Sequence, residues 1–344
     1  MVVGILLAVV SAAAFFFTTQ PSNPLSIGGD YQLSPELSAV ADGLAFTEAG
    51  RALFVDTQPQ LLTDDPFRRF CASTPDGTGA DGRLATVGCF VPGFDGPGRI
   101  GVFQPSDPRL GEQVSTTTAH EFLHAAYDRL SAAERGPLDA LLAARWAQLP
   151  ADDPLQERLA SSVGGYEPNR GTEQFAFLGS EVGDLGPELE AYYAPYFVDR
   201  QVVVAHAVGE LGVWNGLLAD YQAAADALSI AEQAVAAAEQ QLLVDRMQLE
   251  TDRSAYTVAA DAYNALTPES RAASRTLDDD GVARPWGDVL ADRLASIQAR
   301  DAEYPARQAQ LDADRAATQA QRADLERRSR DVEALESATV PRAG

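Results

Sequence analysis

The chain contains no lysine: all 26 of its positive charges are arginine, set against 50 acidic residues, for a net charge of −24 over 344 residues. So acidic a surface excludes nucleic acid as a partner, because phosphate binding needs a basic face. It also excludes electrostatic attachment to anionic lipid headgroups. Cysteine is nearly absent too, with two residues, and histidine occurs three times. Cys71 and Cys89 lie among turn residues, in F-C-A-S-T-P-D-G and T-V-G-C-F-V-P. In an exported protein they read as one disulfide, stabilising by about 3 kcal/mol through loop closure; the alternative is two buried thiols.

Charge of either sign is missing from the opening stretch M-V-V-G-I-L-L-A-V-V-S-A-A-A-F-F-F. At about 1.5 Å per residue this run spans most of a bilayer core, so residues 1–19 read as a membrane anchor. A cleavable signal peptide is the alternative, with small residues at Ser11–Ala14. It lacks a positive n-region, since the first arginine is Arg51, and cleavage would leave Phe15–Phe17 exposed. Either reading places the body of the protein outside the cytoplasm, anchored or secreted.

What is present is enough for a core: 46% of the residues are apolar, which argues against wholesale disorder. Residues 20–35, rich in Pro, Gly and Ser, form a linker. Between 36 and 112 the elements are short. Leu44–Phe54 suggests a helix ending in a strand-like A-L-F-V, and A-T-V-G-C-F-V and R-I-G-V-F-Q suggest two strands. Helical patterning follows over 113–147, broken at Arg135-Gly136-Pro137. Further helices start near Gly171 and in D-L-G-P-E-L-E-A-Y-Y. Strands followed by helices imply an α+β domain over 36–210.

The remainder, 211–344, is different in kind. Leu217, Tyr221, Ala224, Leu228, Ala231, Val235, Ala238 and Leu242 form a heptad seam that continues to Tyr263. After T-P-E-S-R and D-D-D-G-V-A-R-P-W a second seam runs Leu290, Ile297, Tyr304, Leu311, Thr318, Leu325, Val332, with a kink expected at Pro305. Two long helices about a loop imply an antiparallel coiled-coil hairpin, with a parallel homodimer as the alternative. Such an arm is a candidate surface for a protein partner.

Two of the three histidines stand in H-E-F-L-H. On a helix, His120 and His124 share a face and present two imidazoles to one point, as tetrahedral zinc requires. Glu121 projects beside that point, where a carboxylate takes a proton from a water activated by the metal. The strand R-I-G-V-F-Q, about ten residues earlier, is the candidate edge for an extended peptide. A third protein ligand is needed. His206 sits in the apolar run V-V-V-A-H-A-V and reads as a packed core histidine. In Y-E-P-N-R-G-T-E-Q-F-A-F-L-G-S-E, Glu173 opens an amphipathic helix and is the leading third ligand, with Glu181 as its competitor.

His120-Glu121-x-x-His124 followed by a helical Glu is similar to the gluzincin metallopeptidases, whose zincin-like fold the 36–210 domain is then expected to share. Within them, E-Q-F-A resembles the Glu-x-Phe-Ala of the anthrax-lethal-factor type. That likeness implies a tyrosine two helical turns before the Glu that supports the oxyanion; Tyr166 occupies the place, with Tyr192, Tyr193 and Tyr196 as competitors. The chain departs from the thermolysin-like pattern at Phe177, where an Asp is expected. The partner of the second ring nitrogen of a metal-bound histidine is thereby unassigned, and Asp128, one turn after His124, is a candidate. The whole span also resembles membrane-anchored actinobacterial proteins with a C-terminal coiled coil.

The leading expectation is an extracytoplasmic zinc-dependent endopeptidase with Glu121 as general base, acting on a peptide or protein substrate. The competing expectation is a non-catalytic envelope protein whose coiled coil is the working part. A third reading, a self-cleaving or substrate-gated protease whose arm recruits partners, combines both.

Overall fold

The computed structural model describes residues 10–13, 31–72, 86–94, 96–164 and 166–342. The chain divides into two compact units, Met1–Leu218 with Asp331–Gly344, and Ala219–Arg330. The boundary expected at 210/211 falls inside one continuous helix. That helix begins on the first unit, where Val203, Val204, Ala207 and Trp214 are buried.

Most of the first unit is helical, around a small mixed sheet. Its strands are β1 (Val10–Ala13), β2 (Gln60–Leu62), β3 (Thr86–Val91) and β4 (Arg99–Phe103), in the order β1-β3-β4-β2. β3 and β4 are antiparallel, with Phe90 opposite Ile100, while β1 joins β3 and β2 joins β4 in parallel. β4 is therefore an interior strand and not the free edge expected of R-I-G-V-F-Q. The edges belong to β1 and β2. Apart from β1, the 1–19 anchor-or-signal segment and most of the linker lie outside the described residues.

Around the sheet stand α1 (Pro35–Gly43), α2 (Glu48–Asp56), α3 (Asp64–Cys71), α4 (Gly111–Asp128), α5 (Ala132–Trp146), α6 (Pro154–Val163), α7 (Arg170–Glu181) and α8 (Gly186–Tyr193). The strand-like A-L-F-V lies wholly within α2, because Thr47 caps the helix by accepting from Gly50 N, and a cap outweighs local β propensity. The break expected at Arg135-Gly136-Pro137 occurs instead at 129–131. There Ser131 and Glu134 form a capping box that starts α5, leaving Gly136 and Pro137 inside the helix. α6 was not anticipated, although Asp153 as N-cap and Pro154 at its first position announce it.

α4 is the central element, buried without interruption from Gln113 to Tyr127. Its run Ser115–Thr118 is polar and, in its three threonines, β-branched, unpromising for a buried helix. Thr116 and Thr118 return their hydroxyls to Glu112 O at 2.9 Å and Val114 O at 2.7 Å, so these groups enter the core already paired. α7 packs directly on α4 because position 179 is glycine: a Cβ there would stand 2.6 Å from Leu123 Cδ1. The carbonyl end of α7 is closed by buried Arg200, which donates to Val182 O at 2.7 Å and Leu178 O at 3.3 Å, where a cation also meets the helix dipole favourably. Phe122, Leu123, Phe175, Phe177 and Tyr193 form the middle of the core.

Cys71 and Cys89 are bonded, joining α3 to β3 within a second cluster that includes Phe67, Val87 and Phe103. The returning segment after Asp331 docks on this unit: Arg109 reaches Asp331 at 2.9 Å, and Leu335 and Ala338 pack with Leu110 and Trp214.

The second unit is built from most of α9 (Arg200–Asn264) and α11 (Trp286–Ala338), joined through α10 (Pro268–Ala273) and a two-stranded hairpin of β5 (Arg275–Leu277) and β6 (Ala283–Pro285). Ion pairs Arg300–Asp252, Arg307–Asp245, Arg315–Glu239 and Arg322–Glu232 run down one helix as they climb the other. That order defines an antiparallel hairpin. Leu228, Leu242, Leu249, Ile297, Leu311 and Thr318 of the two seams are buried between the helices. α11 continues through Pro305 as one assigned helix. α9 also contains a stretch long and apolar enough, by length and composition, to cross a membrane, with 28% of it buried.

Candidate metal site

α4 and α7 bring the three expected ligands to one point. His120 and His124 stand one turn apart on α4, with ring centroids 4.9 Å apart. From α7, Glu173 offers Oε2 at 3.6 Å to His120 Nε2 and Oε1 at 3.7 Å to His124 Nε2. All three side chains are at most 1% exposed, and their ligand atoms lie within 4.8 Å of one another. A direct N–H···O hydrogen bond would bring the atoms to about 2.9 Å. Ligand atoms that share a tetrahedral ion at about 2.1 Å stand roughly 3.3–3.5 Å apart. The two His–Glu distances are close to the second figure.

The electrostatics agree with the distances. Burial, then the nearby His124 and Arg158 charges, hold the His120 imidazolium well below its usual range, and burial brings His124 down to about 3. Both rings are therefore neutral at physiological pH, the form that ligates metals. His124 Nδ1 lies 2.8 Å from Thr172 Oγ1; a neutral ring donating there keeps its proton on Nδ1 and leaves the Nε2 lone pair bare. Among the described residues neither Nε2 has a hydrogen-bond partner. Leaving a buried acceptor unpaired costs about 1–3 kcal/mol, and a cation taking both lone pairs removes that cost. The group thus fits a metal ion with two imidazole ligands and one carboxylate.

Thr172, adjacent to Glu173 in the chain, fills the role for which Asp128 was a candidate. Asp128 instead faces Arg135, 3.6 Å away. The i+4 logic that suggested Asp128 looks along one helix, whereas the partner came from another. Phe177, standing where the thermolysin-like pattern has an acid, packs its ring edge-on to His120 with centroids 4.5 Å apart. Packing takes the place of a hydrogen bond on that ring.

Glu181 is not at the cluster. Its carboxylate is paired bidentately with Arg158, whose guanidinium also lies over the Phe177 ring at 4.9 Å. His206 is apart as well. It is partly exposed on α9, with Nδ1 2.5 Å from Glu112 Oε2 and Nε2 3.2 Å from Gly43 O, so it is a hydrogen-bonded residue and not an apolar core histidine. Tyr166 is 44% exposed at the turn leading into α7. Of its competitors, Tyr193 is buried with its hydroxyl donating to Phe175 O at 2.9 Å.

Glu121 is fully buried on the β3 side of α4. The approach is possible because β3 has glycine at 88: a Cβ there would lie 2.5 Å from Glu121 Oε1 and 2.5 Å from Thr117 Cγ2. Gly88, Thr172 and Arg158 were all missed in the sequence, since each acts across elements distant along the chain.

Comparison with known protein families, curated proteins and solved structures finds no match. The site has to be read from its own chemistry.

Proposed function

We propose that the chain is a zinc-dependent peptidase of gluzincin type, acting outside the cytoplasm. The observation that supports it is the convergence of two neutral, buried imidazoles and the Glu173 carboxylate, with Glu121 next in sequence to the first. Two nitrogens and one oxygen suit zinc, and three protein ligands leave a fourth position open, the pattern of a catalytic site. A zinc ion there would supply Lewis acidity, lowering the pKa of a water and polarising a peptide carbonyl.

The roles of the chain's own groups follow. His120, His124 and Glu173 would hold the ion, and Thr172 would orient His124. Glu121 takes the proton from the attacking water and delivers it to the leaving amine. Tyr166, exposed ahead of α7, is assigned to the oxyanion on the strength of the resemblance to the lethal-factor type. The disulfide and the uncharged N-terminal run support an extracytoplasmic, membrane-anchored location.

Metal analysis followed by digestion of casein or a peptide library, with and without chelator, tests the reading. One equivalent of zinc and chelator-sensitive cleavage are expected. Glu121→Gln should keep the zinc and abolish turnover; retained proteolysis would sink the role given to Glu121.

A second reading has its own support. Ile230, Val244 and Val258 of α9 are 68%, 46% and 72% exposed at fourteen-residue spacing, which places them on one face of a heptad helix. An apolar face of that kind suits a protein partner. If the chain binds no zinc and cleaves nothing, the arm becomes the working part.

A further inference from the structure

α9 carries a second heptad line that the hairpin does not use. Positions 223, 227, 230, 234, 237, 241, 244, 248, 251, 255, 258 and 262 step by fours and threes; every one is exposed and none is charged. All lie within the second unit. Leu228, Leu242 and Leu249, which fill the hairpin seam, fall off this line. So do Glu232, Glu239 and Asp245, which pair with α11. At 3.6 residues per turn the second line stands roughly 100° around the helix from the first. Half of it occupies the flank that an isolated two-helix coil usually fills with charge.

The line matches its own reverse. Laid antiparallel on a second copy, about the point midway between Gln241 and Val244, it sets Ile230 opposite Ala255, Thr251 opposite Ala234 and Val258 opposite Ala227. Each β-branched side chain then meets an alanine, so the layers interdigitate. A parallel pair would set Ile230 on Ile230 and Ala234 on Ala234, alternating crowding with voids. Each residue meets its opposite number twice, which is the self-complementarity of a two-fold interface. Copies that each carry a net charge of −24 repel one another, and an uncharged strip about 60 Å long at 1.5 Å per residue is where they can meet.

We propose that the uncharged face of α9 binds a second copy of this chain, antiparallel, joining two hairpins side by side. The proposal deepens the partner-binding reading of the arm and is independent of the peptidase reading. Sedimentation equilibrium of the full chain over roughly 1–100 µM should show a monomer–dimer equilibrium. Ile230→Glu with Val258→Glu, at positions 68% and 72% exposed in the single chain, should weaken it about 100-fold and leave helicity and melting of the monomer unaltered. Thiol cross-linking reads the register. Ala234→Cys with Thr251→Cys should form an intermolecular disulfide on oxidation, whereas Ala234→Cys alone should not. The two sites stand about 26 Å apart along one helix, too far to bond within one copy, and Cys71 and Cys89 are already bonded to each other. A dimer that the two Glu substitutions leave intact overturns the proposal, because it joins elsewhere. Cross-linking of Ala234→Cys alone shows a parallel pair and overturns the self-matching register. A monomer at every concentration whose arm retains a different protein overturns the second copy and keeps the partner-binding reading. A monomer whose arm retains nothing overturns both.

Discussion

Gly88→Ala is the substitution that most directly probes the contact between the sheet and the Glu121 carboxylate. The added Cβ would stand 2.5 Å from Glu121 Oε1, 2.5 Å from Thr117 Cγ2 and 2.8 Å from Glu121 Cγ. Comfortable carbon contacts begin near 3.5 Å, so each is short by roughly 1 Å. Neither neighbour has room to retreat, since Glu121 and Thr117 are 0% and 1% exposed. Overpacking of this kind costs about 1–3 kcal/mol, less than the stability of a typical domain, so the variant folds. The carboxylate is what moves, and a 1 Å misplacement of a reacting group costs on the order of 100-fold in rate. The expected result is a lowered melting temperature, one bound zinc, and kcat on a peptide substrate reduced about 100-fold. Gly136→Ala is the control: its Cβ meets nothing within 4 Å, and in a helix it should stabilise by about 0.4–1 kcal/mol. Wild-type melting and wild-type kcat in Gly88→Ala would refute the close approach of Glu121 to β3. Loss of zinc together with activity would show that α4, and not the carboxylate, had yielded.

Thr172→Val should lower zinc affinity by about 10–100-fold, the usual effect of removing a ligand-orienting partner, measured by competition with a chromophoric chelator. Glu173→Gln should weaken zinc binding further and erase the stabilisation that zinc confers, which at 100 times Kd is about 2.7 kcal/mol in wild type; an unaltered metal-dependent melting shift would exclude Glu173 as a ligand. Glu210, buried near Glu181, Arg158, Thr116 and Glu112, has its carboxyl pushed up to about 7, chiefly by burial. Because the folded value is raised, its stabilising contribution is full below about pH 4.5 and is lost as pH rises through 7. Glu210→Gln should therefore gain about 3 kcal/mol relative to wild type between pH 4.5 and 8 in denaturant titrations; a pH-independent difference would refute the assignment. Reduction of Cys71–Cys89 should cost about 3 kcal/mol, read from the denaturation midpoint with and without reductant.

Much of the organisation was legible in the residue order because its causes are local. The seams through Leu242 and Leu311 follow from heptad spacing, and an antiparallel hairpin is the simplest arrangement of two long helices joined by a loop. β3, β4 and α7 announced themselves by period and by turn residues. His120 and His124 reached one point because a helix puts i and i+4 on one face. Where local signals competed, the reading failed: the capping box at Ser131 outweighed the Gly-Pro pair that follows it, and Thr47 held A-L-F-V in α2. β4 was placed at an edge because strand order is set by β2, which arrives from an earlier segment.

The sequence by itself therefore determined the two-part architecture, the disulfide partners and the two imidazoles, all properties of spacing within one element or of scarce residues. Only the tertiary structure decided that Glu173 and not Glu181 faces the histidines. It brought Thr172 to His124 and Phe177 to His120, drew Arg158 to Glu181, and let Gly88 clear a place for Glu121. Each of these depends on the packing of α7 against α4 and α6 or of α4 against the sheet, where contact is set by side-chain shape across distant segments and leaves no period in the chain to read.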